Sequence, residues 1–302
     1  VDQMEITGET AKAGRARWIV LGLLFSITVI NFIDRQTLSI LAPKLRDLFH
    51  FSASDYAMIV AFFQAGMTIS EFPMGALADR CGTRFSFSFA VLWWSAATAM
   101  HVAGNSVRTF ALFRFWMGTG EAANYSGAIK VINRWFPRNE SALAIGIFNS
   151  GSMIASMLAP PLIVFLDYKF GWRVAFLVPA AFGFAWVVLW RSVYRATAAE
   201  ERYRPETQEP APSTIELFAS RQAWGLMLCR FLAGPVMQFY WYWMPDYLFH
   251  VRHMSLLAIG AFSWLPFLFG DIGSIGGGWV ANRLLKRGVS VSMTRYVTML
   301  VG

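Results

Sequence analysis

Charge is scarce in this chain. Only 15% of its 302 residues are Asp, Glu, Lys or Arg, against about 25% in an ordinary soluble domain. Cysteine is scarcer: Cys81 and Cys229 are the two, and both lie near ends of apolar runs on the same predicted side. That excludes a disulfide framework and any zinc-type spacing. The four histidines (His50, His101, His250 and His253) fall near the ends of apolar runs or in loops. With no Ser/His/Asp set and no His/Cys cluster, the usual routes to nucleophilic and metal catalysis are missing. The chain reads as a non-enzyme with no cofactor and no metal. No secretory cleavage signal is visible.

What is present is apolar. Hydrophobic residues make up 56% of the chain, with 27 Phe and 13 Trp, and the mean hydropathy is +0.45. A membrane-crossing helix needs about 20 apolar residues. The sequence supplies such runs at 18–42, 56–76, 85–104, 109–131, 141–166, 172–193, 222–249 and 255–281, with another starting near Val291. This is an all-α membrane protein. Residues 1–17 read as a polar cytoplasmic tail and 18–193 as a six-helix bundle. Residues 194–221, charged and proline-containing, read as a cytoplasmic linker, and 222–302 as an incomplete second bundle. With the N-terminus inside, 17 of the 26 Lys and Arg fall on inner segments, six on outer ones and three within the membrane. That is the bias expected of an inside-facing N-terminus. The net charge of +8 therefore reports topology, not nucleic-acid binding.

Against this background, Asp34 and Arg35 stand inside the first run, and Arg114 and Glu121 inside the fourth. An ionisable residue at bilayer depth costs several kcal/mol, so a chain that keeps one has a use for it. Arg114 and Glu121 are two helical turns apart and share a face. The structural alternative is a static ion-pair network, which is a poor stability device. Arg230 and Asp271 lie at similar depths in the seventh and eighth runs and are expected to pair, in a structural role. Asn149 stands among small residues in the fifth run, where it either meets a hydroxyl-rich ligand or bonds a neighbouring helix. In Phe239-Tyr240-Trp241-Tyr242-Trp243 most rings serve packing; Tyr240 and Trp241 are the candidates for a ligand.

The segment Gly75-Ala-Leu-Ala-Asp79-Arg80-Cys-Gly82-Thr-Arg84 follows the second run, and Gly278-Trp-Val-Ala-Asn282-Arg283 follows the eighth at the same spacing. Internal repeats of this kind mark secondary transporters. The first copy, with Arg114-Phe-Trp-Met-Gly118-Thr-Gly120-Glu121-Ala122, resembles the signature patterns of the major facilitator superfamily. Asn31-Phe-Ile-Asp34-Arg35, Trp135-Phe-Pro137-Arg138 and Phe170-Gly171-Trp172-Arg173 resemble its anion:cation symporter family. Phe148-Asn149-Ser-Gly151 running to Ala159-Pro160-Pro161, Arg230-Phe-Leu-Ala233 and Trp264-Leu-Pro266 running to Gly270-Asp271 are similar to bacterial hexuronate transporters.

The resemblance implies a 12-helix bundle, of which this chain carries about 8.5 helices. It implies proton-coupled symport of a sugar-acid anion, a hexuronate or aldonate, across a bacterial inner membrane, by a monomer partnered by lipid, organic anion and proton. In sugar-acid members of that family the position of Arg35 meets the substrate carboxylate; Arg114, Asn149, Tyr125, Tyr240 and Trp241 are this chain's further candidates for substrate contact. Asp34 and Glu121 would take up protons. Asp79, Arg80, Arg84, Asn282 and Arg283 would form a conformational latch, with Asp79 bonded by a neighbouring arginine or a helix N-terminus. Asn282 carries no charge, so the second-half latch should be weaker. Many family members place a proline after Gly-Glu-Ala; here Asn124-Tyr125-Ser126 follows, which leaves open both a kink there and the aim of Tyr125. The alternatives are an organic-anion or sugar-phosphate antiporter and, in a different class, a non-transporting ligand sensor.

Overall fold

The fold was obtained as a computed structural model. It describes the backbone of residues 2–194 and 219–287 and of scattered positions beyond. Side chains are described from Ala16 onward, except at positions that include Arg138, Arg230, Asp271 and Asn282. The expected Arg230–Asp271 pair and the Asn282 half of the latch therefore lie outside the described residues.

Every described element is helical, as the apolar runs dictate. Helix α1 covers Asp2–Phe49, α2 Ala53–Cys81, α3 Thr83–Met100, α4 Val107–Glu121, α5 Ala123–Trp135, α6 Arg138–Phe170 and α7 Trp172–Val193. Beyond residues 195–218 come α8 (Arg221–Gln238), a π-helical turn (Phe239–Trp243), α9 (Met244–His250), α10 (Leu256–Phe262) and α11 (Leu265–Lys286). Helix α1 takes in the segment read as an N-terminal tail. Among the described residues five helices are long and apolar enough to cross a membrane: Ala16–Phe49, Ala53–Cys81, Thr83–Ala103, Glu140–Phe170 and Trp172–Val193.

Sequence sets the boundaries. Ser52 accepts from the backbone N–H of Asp55 at 3.1 Å and its own N–H donates to the Asp55 carboxylate at 2.9 Å, a reciprocal cap on α2. Ser106 and Thr109 do the same for α4. The reversals from α2 to α3 and from α6 to α7 each turn on one residue, Gly82 (φ 76°) and Gly171 (φ 87°), where a side chain would be strained.

Three expected spans are interrupted, each for a local reason. The run 109–131 breaks at Ala122, whose N–H is shared between the carbonyls of Gly118 and Gly120. The break forms without proline. The run 222–249 carries the π turn because Pro245 has no N–H for the carbonyl of Trp241; the N–H of Met244 reaches back to Phe239 instead. The run 255–281 breaks at Ser263-Trp264, just ahead of Pro266, which sits in the first turn of α11.

Helix α2 packs along α4, and α1 along α6. Two apolar clusters fill the bundle, one around Leu24, Phe87, Trp94 and Trp190, the other around Leu41, Phe110, Ile163 and Phe176. Along α1 the first cluster ends at Ile27 and the second begins at Ile33. At that seam the buried side chains are polar: Thr28, Asn31 and Asp34. Large apolar side chains such as Ile69, Phe72, Phe165 and Val188 face outward, as a surface solvated by lipid requires.

Candidate functional site

The polar seam is built by α1, α4 and the start of α5. Arg35 Nε lies 2.6 Å from Glu121 Oε2, with Glu121 fully buried and Arg35 17% exposed. The guanidinium also lies over the Phe32 ring at 4.7 Å and the Phe63 ring at 5.5 Å, close enough for cation–π attraction. Asp34, adjacent in sequence, is 0% exposed and neither carboxylate oxygen has a protein hydrogen bond among the described residues. Its electrostatic neighbours are Glu121, Arg114 and the indole of Trp94. Asn31 is likewise buried, with its amide directed at the Glu121 carboxylate without reaching full hydrogen-bond geometry.

Arg114 and Glu121 are both buried, as their shared face predicts, yet they form no salt bridge. Arg114 Nη2 donates instead to the backbone carbonyl of Arg35 at 2.9 Å, and its guanidinium sits over Phe63 at 5.4 Å. At 2% exposure its side chain is enclosed in this conformation.

A cleft of about 610 Å³ opens between α6, the π turn and α11, lined by Ser152, Ser156, Tyr240, Trp241, Pro266 and Phe267, among others. Tyr240 and Trp241 thus share a cavity wall. Trp241 meets Phe32 edge-on at 5.7 Å, which links the cleft to the ring under Arg35. Gln36 donates to Ser156 Oγ at 3.1 Å. Asn149 is half-buried, one turn before Ser152, whose hydroxyl bonds its carbonyl at 2.7 Å. Tyr125 is 58% exposed and packs on Phe148; it does not join the charged seam.

At the opposite end of α2, Asp79 Oδ1 accepts from Lys130 Nζ at 2.7 Å, and the same ammonium donates to the carbonyl of Gly75 at 2.8 Å. The partner of Asp79 is a lysine on α5, not an arginine. Arg84 instead donates to the carbonyl of Arg191 at 2.8 Å, Arg80 is exposed, and Arg283 is exposed on α11.

The structure adds Lys130, Gln36 and Asn31 to these polar contacts. Lys130 was visible only as one more inner cation. Gln36 and Asn31 carried a usable signal, since both are uncharged polar residues within one turn of Asp34 in an apolar run.

Comparison with known proteins bears on this geometry. The Major Facilitator Superfamily pattern matches residues 24–302. The chain is 32% identical to a galacturonate transporter of Dickeya chrysanthemi, over 94% of this chain and 87% of that protein. It is 33% identical to the hexuronate transporter of Escherichia coli (strain K12), over 95% of this chain and 70% of that one. In structure it resembles a bacterial homolog of the human lysosomal transporter Spinster in an inward-facing, unoccupied conformation (TM-score 0.78, 22% identity, 90% of this chain). The chain spans 64% of that solved chain. A D-xylose-proton symporter shares the fold more loosely (TM-score 0.54, 14% identity). An all-helical bundle with apolar spans, buried charges on α1 and α4, and a family pattern over nearly its whole length make this chain an integral membrane protein that belongs to the Major Facilitator Superfamily, whose members are transporters and not enzymes.

Proposed function

We propose that the chain performs proton-coupled symport of a sugar-acid anion, a hexuronate such as glucuronate or galacturonate or a related aldonate. Transport proceeds by alternating access in a bacterial cytoplasmic membrane with the N-terminus inside. In this reading 18–193 and 222–302 belong to two bundles joined by 194–221, and the cleft lies between them. The observation that carries it is the 2.6 Å contact of Arg35 with Glu121 beside the unpartnered carboxylate of Asp34.

Arginine's planar fork suits a carboxylate, and Glu121 occupies one edge of it. An incoming substrate carboxylate competes for that edge. A buried Glu121 that loses its cation is held at lower cost as the neutral acid than as an uncompensated charge. Anion and proton therefore load together, with Asp34 and Glu121 as the groups that accept the proton. Tyr240, Trp241 and the hydroxyl-lined α6 wall near Asn149 offer a sugar one aromatic face and several hydrogen-bonding groups. The relatives named for galacturonate and hexuronate support the substrate class.

The test is uptake of labelled glucuronate into proteoliposomes carrying an inward proton gradient. Accumulation should occur, stop on adding a protonophore, and be absent for glucose. Uptake that ignores the protonophore but requires an internal anion would identify an exchanger instead.

A further inference from the structure

The two rings beside the Arg35 guanidinium, Phe32 and Phe63, are each met by the π turn. Trp241 stands edge-on to Phe32 at 5.7 Å, and its neighbour Tyr242 lies 6.3 Å from Phe63. Arg114 sits over that same Phe63 ring at 5.4 Å. The turn thus straddles Arg35, with Trp241 lining the cleft and Tyr242 turned to the charged seam. Tyr242 is 5% exposed. Arg35, Arg114 and Glu121 are within electrostatic reach of its hydroxyl, which makes no hydrogen bond among the described residues.

The ring is held in place from both sides. Tyr56 of α2 donates to the backbone carbonyl of Tyr242 at 2.6 Å and packs edge-on against Trp243 at 5.1 Å. Four residues on, Asp246 of α9 accepts a hydrogen bond from Arg46 of α1. A side chain fixed in advance loses little freedom when it meets a ligand, and π turns recur at functional sites.

With Arg35 as the receptor of the substrate carboxylate, as proposed above, we propose that Tyr242 is a substrate-contact residue whose phenol donates to that carboxylate and selects an acid over a neutral sugar. The chemistry is that of a third donor. Two guanidinium N–H groups take one lone pair on each oxygen of a bound carboxylate, and each oxygen keeps another. A phenol O–H supplies the additional bond without adding charge. That suits a seam in which Arg35 and Arg114 already offset Asp34 and Glu121. A neutral sugar brings no carboxylate to this place and gains nothing from the hydroxyl. A ring that only packs on Phe63 would serve equally well without its hydroxyl, so phenylalanine separates the two roles.

The test is made on the full chain in lipid nanodiscs. Tyr242→Phe removes the hydroxyl and keeps the ring. Glucuronate affinity, titrated calorimetrically, should fall about tenfold, the usual effect of losing one hydrogen bond to a charged group. The ligand-free melting temperature should match that of the parent, because the ring still packs on Phe63. Tyr168→Phe, at a position 72% exposed, should leave both quantities unchanged. In a second measurement a tyrosine bearing one ring fluorine replaces Tyr242 alone, and its fluorine resonance should move on adding glucuronate but not glucose. A Tyr242→Phe variant that binds glucuronate as tightly as the parent, or a fluorine resonance that glucuronate leaves in place, overturns the role of Tyr242 and leaves Arg35 as receptor untouched. A melting temperature that falls along with the affinity assigns the hydroxyl to the fold instead. A parent chain that binds no glucuronate overturns both readings.

Discussion

Arg35 and Glu121 touch at 2.6 Å although 86 residues separate them, and both residues have a second role to fill. Arg35 leaves 17% of its side chain open and sits over the Phe32 ring at 4.7 Å; Glu121 is sealed. The edge of the guanidinium that Glu121 holds is the one for which a substrate carboxylate would compete. A lysine at this position keeps the charge but loses both the fork and the ring contact. Arg35→Lys should therefore weaken glucuronate binding by tenfold or more, about 1.4 kcal/mol per decade, with glucuronate titrated calorimetrically against glucose as control. Unchanged affinity would remove Arg35 as the anion receptor.

Glu121→Gln keeps the shape of the side chain and removes its titration. Arg35 is then freed from its internal competitor, so anion binding should hold or improve, by up to about tenfold. Coupling should fail. Exchange of labelled for unlabelled glucuronate should persist, while accumulation driven by a pH gradient falls to background. Equal loss of exchange and accumulation would mean that Glu121 only holds the bundle together.

The charged pair shows where sequence reading reaches and where it stops. Four ionisable residues inside apolar runs are visible from composition alone, because lipid penalises them so heavily. The spacing of Arg114 and Glu121 gives their common face. It cannot say that Glu121 chooses Arg35 and that Arg114 settles on a backbone carbonyl, since such choices depend on how α1 and α4 cross. The same holds for Arg46 and Asp246, which meet only where α9 packs on α1. The break at Ala122 was also hidden. It arises from two glycines and a shared N–H, where the visible signal, proline, is missing.

Lys130 holds Asp79 at 2.7 Å, but Asp79 is 69% exposed and Lys130 32%. Exposed pairs contribute roughly 0–1 kcal/mol. Lys130→Met should shift the melting temperature by less than about 3 °C. If the pair steadies the α2–α5 end during conformational exchange, the same substitution should change the uptake rate several-fold. A large melting shift with normal uptake would assign the pair to stability instead.

Gly118 faces α2 so closely that a Cβ there would stand 2.4 Å from the carbonyl oxygen of Phe63 and 3.1 Å from the N–H nitrogen of Met67. Gly66 makes the reciprocal approach to the Phe115 carbonyl at 2.3 Å. Neither backbone can yield without moving a helix. Gly118→Ala should therefore destabilise by about 1–3 kcal/mol, as overpacking does. Because α4 carries Arg114 and Glu121 on its buried side, pushing it from α2 should also disturb the contact with Arg35. Anion affinity should fall along with thermal stability, in a melt followed with and without glucuronate. Gly22→Ala on α1, where a Cβ would meet nothing within 4 Å, is the control, and alanine's better helix propensity should leave it neutral or slightly more stable. If the two variants melt together and bind alike, close contact between α2 and α4 does not set the position of the charged seam.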